Sequence, residues 1–156
     1  MGRLKCNVDA VLFLLVSKLG LGWIAGDAAG FMVATKVKSV KGRMSVMQAE
    51  AFSFREALSW IKDGGWRNVN FKSDSCHLAH AIHNSEQDIS FVSSIVNDCK
   101  FFMQSIYPCS LGFVKKSANQ STHSLCRATI FTSDEKEWAF IPPSFLEDAL
   151  RFDMVQ

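Results

Sequence analysis

Two acidic residues, Asp9 and Asp74, occupy equivalent places in this sequence. Each directly follows a short segment in which apolar and polar residues alternate, residues 4–8 and 69–73. A period of two predicts β-strands. Loops at the carboxyl ends of such strands collect the polar groups that bind and react. We therefore expect both carboxylates to lie at one edge of a sheet.

A third acid, Glu50, lies on the apolar stripe of a predicted helix. After Ser45, which forms a capping-box pattern with Gln48, apolar residues recur every three or four positions until Gly64 and Gly65. This pattern predicts an amphipathic helix that ends at the glycines. A carboxylate within a buried stripe costs several kcal/mol unless it is paired or binds a cation. Glu50 is therefore a candidate functional residue.

The predicted elements can bring these three acids together. A right-handed crossover through the helix would place the two strands parallel and adjacent. Three neighbouring carboxylates repel one another and raise a pKa unless divalent cations neutralise them, and magnesium prefers such hard oxygen ligands. One observation conflicts with this arrangement. The acids lie on the strand faces that also carry polar side chains, whereas the apolar helix with Glu50 should pack on the opposite, apolar face of the sheet. These side chains are Lys5, Asn7, Asn70 and Lys72.

Length and composition predict one folded domain over residues 1–156, with a core at about 4–132 and a tail at 133–156. The 156 residues are 48% apolar, and the net charge of +2 does not by itself indicate nucleic acid. Five scattered cysteines lack zinc-like spacing and favour an intracellular location, nuclear or cytoplasmic. The apolar run at 10–16 is shorter than the roughly 20 residues that span a bilayer, so we expect no membrane association.

The remaining pattern predicts further strands at 21–25, 31–40 and 111–115, and helices at 76–83, 91–106 and 119–131. Ser144 and Glu147 form the capping box of a short helix in the tail. Histidines recur every three residues at 77, 80 and 83, which we interpret as a solvated helix face rather than a metal site. Trp66 follows a helix stop, which favours a core position over a base-stacking surface.

In this order and spacing, seven groups of short motifs resemble the type 1 ribonuclease H fold. The likeness is strongest to the reverse-transcriptase-like ribonuclease H domains of plants, which are related to retroelements. It covers nearly the whole chain. The motifs are KCNVD at 5–9, GWI at 22–24, AEA at 49–51 with REAL at 55–58, SDS at 73–75, FV at 113–114 with SAN at 117–119, HSLCRA at 123–128, and EW at 137–138 with PPSFL at 142–146.

The resemblance implies an α/β fold with a mixed five-stranded sheet, in the order 3-2-1-4-5, flanked by helices. It also implies endonucleolytic hydrolysis of the RNA strand of RNA/DNA hybrids. Separately from the resemblance, we expect a monomer. In the family, the acids corresponding to Asp9, Glu50 and Asp74 hold two Mg²⁺ ions, for which Mn²⁺ can substitute, and no protein nucleophile is needed. We also expect contacts with nucleic acid from four residues near these acids: Ser75, Lys115, Lys116 and Asn119.

Three departures from the family leave alternatives open. One is the loop at 116–118, which is too short to hold the mobile histidine of bacterial relatives. His123 replaces a fourth acid, and it either joins the metal site as a ligand or proton acceptor, or makes a structural hydrogen bond. Residues 10–16 are apolar, whereas the corresponding segment in the family is polar and contacts the RNA strand. The acid trio favours an enzyme, whereas the apolar run and His123 favour an inactive module that binds nucleic acid or protein. Basic residues at 36, 38, 41 and 43 either contact phosphates or form a solvated face.

Overall fold

The computed structural model describes residues 2–84, 91–131 and 134–146. Within them, six strands form one mixed sheet in the order β5-β4-β1-β2-β3-β6. Strand β1 runs antiparallel to β2 and parallel to β4. The pairs β2–β3 and β3–β6 are antiparallel, and β4 and β5 are parallel to each other. The predicted order of five strands is confirmed, and β6 adds a sixth. The strands are β1 (Leu4–Phe13), β2 (Lys18–Gly26), β3 (Met32–Lys41), β4 (Val69–Ser73), β5 (Cys109–Phe113) and β6 (Glu135–Ala139).

Four α-helices flank the sheet in the described part of the chain: α1 (Val46–Asp63), α2 (Cys76–His83), α3 (Phe91–Ser105) and α4 (Gln120–Ala128). Helix α1 begins at the predicted capping box, in which the Ser45 hydroxyl accepts from the Gln48 amide and the Gln48 side chain accepts from the Ser45 amide. Its apolar stripe packs against β1, β2 and α3 and forms the main core. None of these helices is long and apolar enough to cross a membrane.

Helix α4 covers the polar face of the sheet and thereby removes the conflict seen in the sequence. It packs against β1 and β2, on the face opposite α1. Asn7 is buried there, and its amide donates to Oδ1 of Asn119 at 2.9 Å. The Asn119 amide in turn donates to the Val8 carbonyl at 3.1 Å. Buried polar groups are tolerated when they are hydrogen-bonded in this way.

The predicted end of β1 at Asp9 is wrong, because the strand continues to Phe13 and pairs with β2 from Lys18. An antiparallel partner extends the strand through an apolar run that showed no turn signal. The turn that follows, the 3₁₀ segment Leu14–Val16, exposes its three apolar side chains.

Other boundaries also differ from the predictions, and β2 begins at Lys18, three residues before its predicted start. Strand β5 begins two residues early, because Cys109 pairs with Val69 of β4. The last helix ends at Ala128 and gives way to the 3₁₀ segment Thr129–Phe131. The tail contributes β6 and the 3₁₀ segment Ser144–Leu146, while Glu147 of the predicted capping box lies outside the described residues.

Candidate metal centre

The sheet brings Asp9, Glu50 and Asp74 together where β4 ends. The last β1–β4 pair is Asn7 with Lys72, so β1 continues past the end of its parallel neighbour, and Asp74 directly follows β4. Helix α1 supplies Glu50 from its second turn. One carboxylate oxygen from each residue lies within 4.8 Å of the others. Asp9 and Glu50 are buried, and Asp74 is half-buried.

Burial and mutual repulsion raise the pKa of two of these acids. Glu50 has its pKa raised to about 10, chiefly by burial and then by the negative charges of Asp9 and Asp74. Burial and Asp74 also raise the pKa of Asp9, although the Ala10 amide and His123 act in the opposite direction. The metal-free centre therefore retains protons that a cation would displace.

The donor set fits a hard divalent cation. Oxygen Oε2 of Glu50 is buried and has no hydrogen-bond partner among the described residues. A buried acceptor of this kind is rare without a water or an ion. Carboxylate oxygens at converging positions are the ligands that Mg²⁺ and Mn²⁺ prefer. The three acids would hold such an ion between β1, α1 and the end of β4.

His123 approaches the acids from the face opposite α1. Its Nδ1 lies 3.0 Å from Oδ2 of Asp9, and its side chain is half-exposed while that of Asp9 is buried. The backbone amide of His123 donates to the carbonyl of Asn119 in the first turn of α4. Because Asn119 is bonded to β1 beside Asp9, the start of α4 fixes where the histidine ring can reach.

A cleft of about 740 Å³ opens above the acids and has two unlike walls. The apolar wall is formed by Val11 and Leu12 of β1 and by Val46 at the start of α1. The polar wall comprises Ser75, Cys76, His77, Lys116, Gln120, His123 and Ser124. Sequence reasoning missed Gln120 and Ser124, although a spacing of three or four residues places them on one face of α4 with His123.

The residues predicted to contact nucleic acid have different environments. Lys116 and Ser75 line the cleft, and Ser75 also caps α2 by accepting from the Leu78 amide. Lys115 is exposed and precedes the 3₁₀ segment Lys116–Ala118 without a side-chain capping bond to it. The predicted contact of Asn119 with nucleic acid is wrong. Its side chain is fully buried and hydrogen-bonded to β1, so it does not face a ligand.

Of the other histidines and lysines singled out in the sequence, His77 lies at the cleft, and His83, Lys36 and Lys38 lie away from it. His77 lines the cleft, whereas Nε2 of His83 lies 2.9 Å from the Leu111 carbonyl. Lys36 and Lys38 form ion pairs with Glu135 and Glu56 in a separate depression beside α1. The interpretation of these two lysines as a solvated, paired face is therefore favoured over phosphate contact. Trp66 packs edge-on against Trp60 at the border of the core, as predicted.

We expect the metal-free protein to lose stability as pH rises from about 4.5 towards 10. Glu50 releases its proton near 4.5 when unfolded but retains it to about 10 when folded. The folded state therefore binds more protons across this window, and the free energy of unfolding falls with pH. Urea unfolding in a chelator at several pH values measures this slope. Stabilisation by Mg²⁺ should increase over the same range, because binding displaces protons, and a pH-independent effect of Mg²⁺ would contradict the site.

Comparisons with known proteins agree with the fold. The family model described as "Reverse transcriptase-like" matches residues 7–129. No curated protein matches the chain in sequence. Among solved structures, ribonuclease H1 from the archaeon Halobacterium salinarum superposes with a TM-score of 0.75 at 18% identity, covering 83% of this chain and 98% of that one.

Two further structures extend the likeness in fold. The N-terminal ribonuclease H domain of a Mycobacterium tuberculosis protein gives a TM-score of 0.72 at 12% identity, covering 83% of this chain and 94% of that one. A ribonuclease H1 isolated from compost by a metagenomic approach, in complex with an RNA/DNA hybrid, gives a TM-score of 0.70 at 12% identity. This superposition covers 81% of this chain and 95% of that one. At these identities the superpositions establish the fold.

Proposed function

Because this chain belongs to the reverse-transcriptase-like family and has a ribonuclease H-like fold, we propose that it is a metal-dependent endoribonuclease acting on RNA/DNA hybrids. The observation that carries the proposal is the convergence of three carboxylates at the base of a cleft, where a buried oxygen of Glu50 has no hydrogen-bond partner in the described part of the chain. A purely structural role would not gather three like charges in a buried position.

The chain's own residues would bind, orient and shield the substrate. When bound, two divalent ions, Mg²⁺ in this proposal, would stabilise the charge that develops on the attacking and leaving oxygens of the phosphate. Asp9 and Glu50 are buried and anchor the site, whereas the half-buried Asp74 faces the cleft. Lys116 offers a positive charge to a neighbouring phosphate, and Ser75 and Gln120 offer hydrogen bonds. His123 holds Asp9 through Nδ1 and can take up a proton at the cleft.

A second candidate function is supported by the apolar wall of the cleft. Val46 is well exposed, and with Val11 and Leu12 it offers no side-chain hydrogen bond to a strand of nucleic acid. This wall favours an inactive module that binds nucleic acid or a protein without cleaving it. The two functions differ in their need for a metal, because binding to the module would persist in a chelator.

The direct test is incubation of the purified protein with an RNA/DNA hybrid labelled on either strand, with Mg²⁺ or with a chelator. We expect internal cleavage of the RNA strand that requires the ion, and no cleavage of the DNA strand. Double-stranded DNA and single-stranded RNA of the same sequence are the controls. Binding of the hybrid without cleavage, at any Mg²⁺ or Mn²⁺ concentration, would assign the binding-module function instead.

Replacing His123 by aspartate should raise Mg²⁺-dependent cleavage. The imidazole lies 3.0 Å from Asp9, so a carboxylate at this position places a negatively charged oxygen ligand where the imidazole ring stands now. The same change should lower the melting temperature of the metal-free protein, because it adds a fourth negative charge. His123→Asn, which supplies an oxygen without charge, is the matched control. If cleavage is unchanged in both variants, His123 has a structural role only.

A further inference from the structure

A buried hydroxyl joins the two elements that carry Asp9 and Glu50. Oγ of Ser53 donates to the main-chain carbonyl of Asp9 at 2.7 Å and accepts from Nε1 of Trp23 at 3.0 Å. Ser53 lies three residues after Glu50 in α1, so both side chains are on one face of the helix. All three hydrogen-bonded residues are buried: Ser53 is 0% exposed, Asp9 is 2% exposed and Trp23 is 1% exposed.

The direction of this chain of hydrogen bonds is fixed by chemistry. An indole N–H can only donate and a main-chain carbonyl can only accept. The Ser53 hydroxyl therefore directs its own hydrogen at the Asp9 carbonyl. The Trp23 N–H is shared between Oγ and the main-chain carbonyl of Ser53, each at 3.0 Å. Trp23 belongs to β2 and packs against Trp60 of α1, which holds the indole in place. Consecutive hydrogen bonds in a buried site polarise and strengthen one another.

This bond acts where the carboxylates repel one another. The carboxylates of Asp9 and Glu50 converge from β1 and α1 to within 4.8 Å, and two like charges at this distance repel each other. Ion-binding sites need their ligands to be held within about 0.5 Å of the productive geometry. The Ser53 hydroxyl lies on the helix that carries Glu50 and binds the main chain of Asp9. This hydrogen bond therefore opposes the separation of Glu50 from Asp9.

We propose that Ser53 is a positioning residue of the metal centre, which ties α1 to the main chain of Asp9 and thereby fixes the separation between the carboxylates of Asp9 and Glu50. The proposal rests on the proposed function in so far as it assumes a divalent ion at these acids. It assigns a role to a residue that touches neither the cleft nor the ion. Ser53 thus affects the metal only through the two residues that it holds together.

The test is calorimetric titration of Mg²⁺, and separately of Mn²⁺, into the unaltered protein, Ser53→Ala and Thr129→Val. Thr129 is the matched control, because its hydroxyl is equally buried and donates to the carbonyl of Cys126 at 2.7 Å, at the far end of α4. Both variants lose one buried hydroxyl bonded to a main-chain carbonyl. Urea unfolding in a chelator measures how much stability each variant loses.

We expect Ser53→Ala to raise the Kd for the metal by about tenfold, the order found for partners that orient metal ligands, and Thr129→Val to leave it unchanged. Unchanged affinity in Ser53→Ala, or an equal loss in both variants, would overturn the positioning role while the metal centre stands. Absence of metal binding by the unaltered protein would instead overturn the centre, and with it both proposals.

Discussion

Replacing Asp74 by asparagine should abolish cleavage of the hybrid while leaving the fold intact. Asparagine keeps the shape of the side chain but removes the charge, so the ion loses a ligand at the mouth of the site. The loss should exceed the roughly 10- to 100-fold effect of changing partners outside the coordination sphere. Initial rates of hybrid cleavage in Mg²⁺ measure it, with Asp63→Asn, an exposed acid at the end of α1, as the control.

The same variant separates a metal ligand from a structural residue. The charge of Asp74 raises the pKa of both Asp9 and Glu50, so its removal relieves repulsion on the order of 1 kcal/mol in the metal-free protein. The melting temperature in a chelator should stay level or rise, and Mg²⁺ should stabilise the unaltered protein more than the variant. A variant that unfolds readily and is protected equally by Mg²⁺ would make Asp74 a structural turn residue.

Replacing Glu50 by glutamine should give the largest gain in stability without metal. At pH 7 to 8, folding forces Glu50 to keep a proton that the unfolded chain releases, because its folded pKa is about 10. Glutamine is neutral in both states and avoids this cost, so the free energy of unfolding in a chelator should rise by roughly 1–3 kcal/mol. Urea unfolding at pH 5 and pH 8 measures it, and the gain should be largest at pH 8.

In the presence of the metal, we expect the unaltered protein to be stabilised more than Glu50→Gln. Glutamine offers the ion only a neutral oxygen, so Mg²⁺ should stabilise the variant little and cleavage should fall sharply. Glu56→Gln is the control, since Glu56 lies two turns away on α1 and pairs with Lys38 at a partly exposed position. If Glu50→Gln destabilises the metal-free protein at every pH, Glu50 stabilises the fold as a buried acid and is not held there for an ion.

The acid trio could be predicted from sequence because each member interrupts a regular pattern. Asp9 and Asp74 follow alternating segments, a crossover makes those segments parallel neighbours, and Glu50 breaks an apolar stripe. The capping box at Ser45 fixed the start of the helix, and therefore the turn on which Glu50 lies. Local periodicity and one topological rule suffice for this part of the molecule.

The remaining features depend on contacts that periodicity does not encode. The burial of Asn119 follows from α4 packing on the polar face of β1, and a polar residue before a helix suggests an exposed cap instead. Strand β6 consists mostly of charged residues, and it forms because Glu135 and Glu137 lie across from the lysines of β3. The role of Ser53 could not be predicted either, because serine in a helix carries no signal of the carbonyl it will bind.

The central claim is that Asp9, Glu50 and Asp74 together hold divalent ions. A crystal of the protein soaked in Mn²⁺ and measured at the manganese absorption edge tests it most directly, because anomalous scattering locates the ion independently of activity. We predict a peak within bonding distance of a carboxylate oxygen from each of the three residues, and its loss in Asp74→Asn. Three carboxylates without a peak between them, in crystals whose soak saturates other Mn²⁺ positions, would contradict the account.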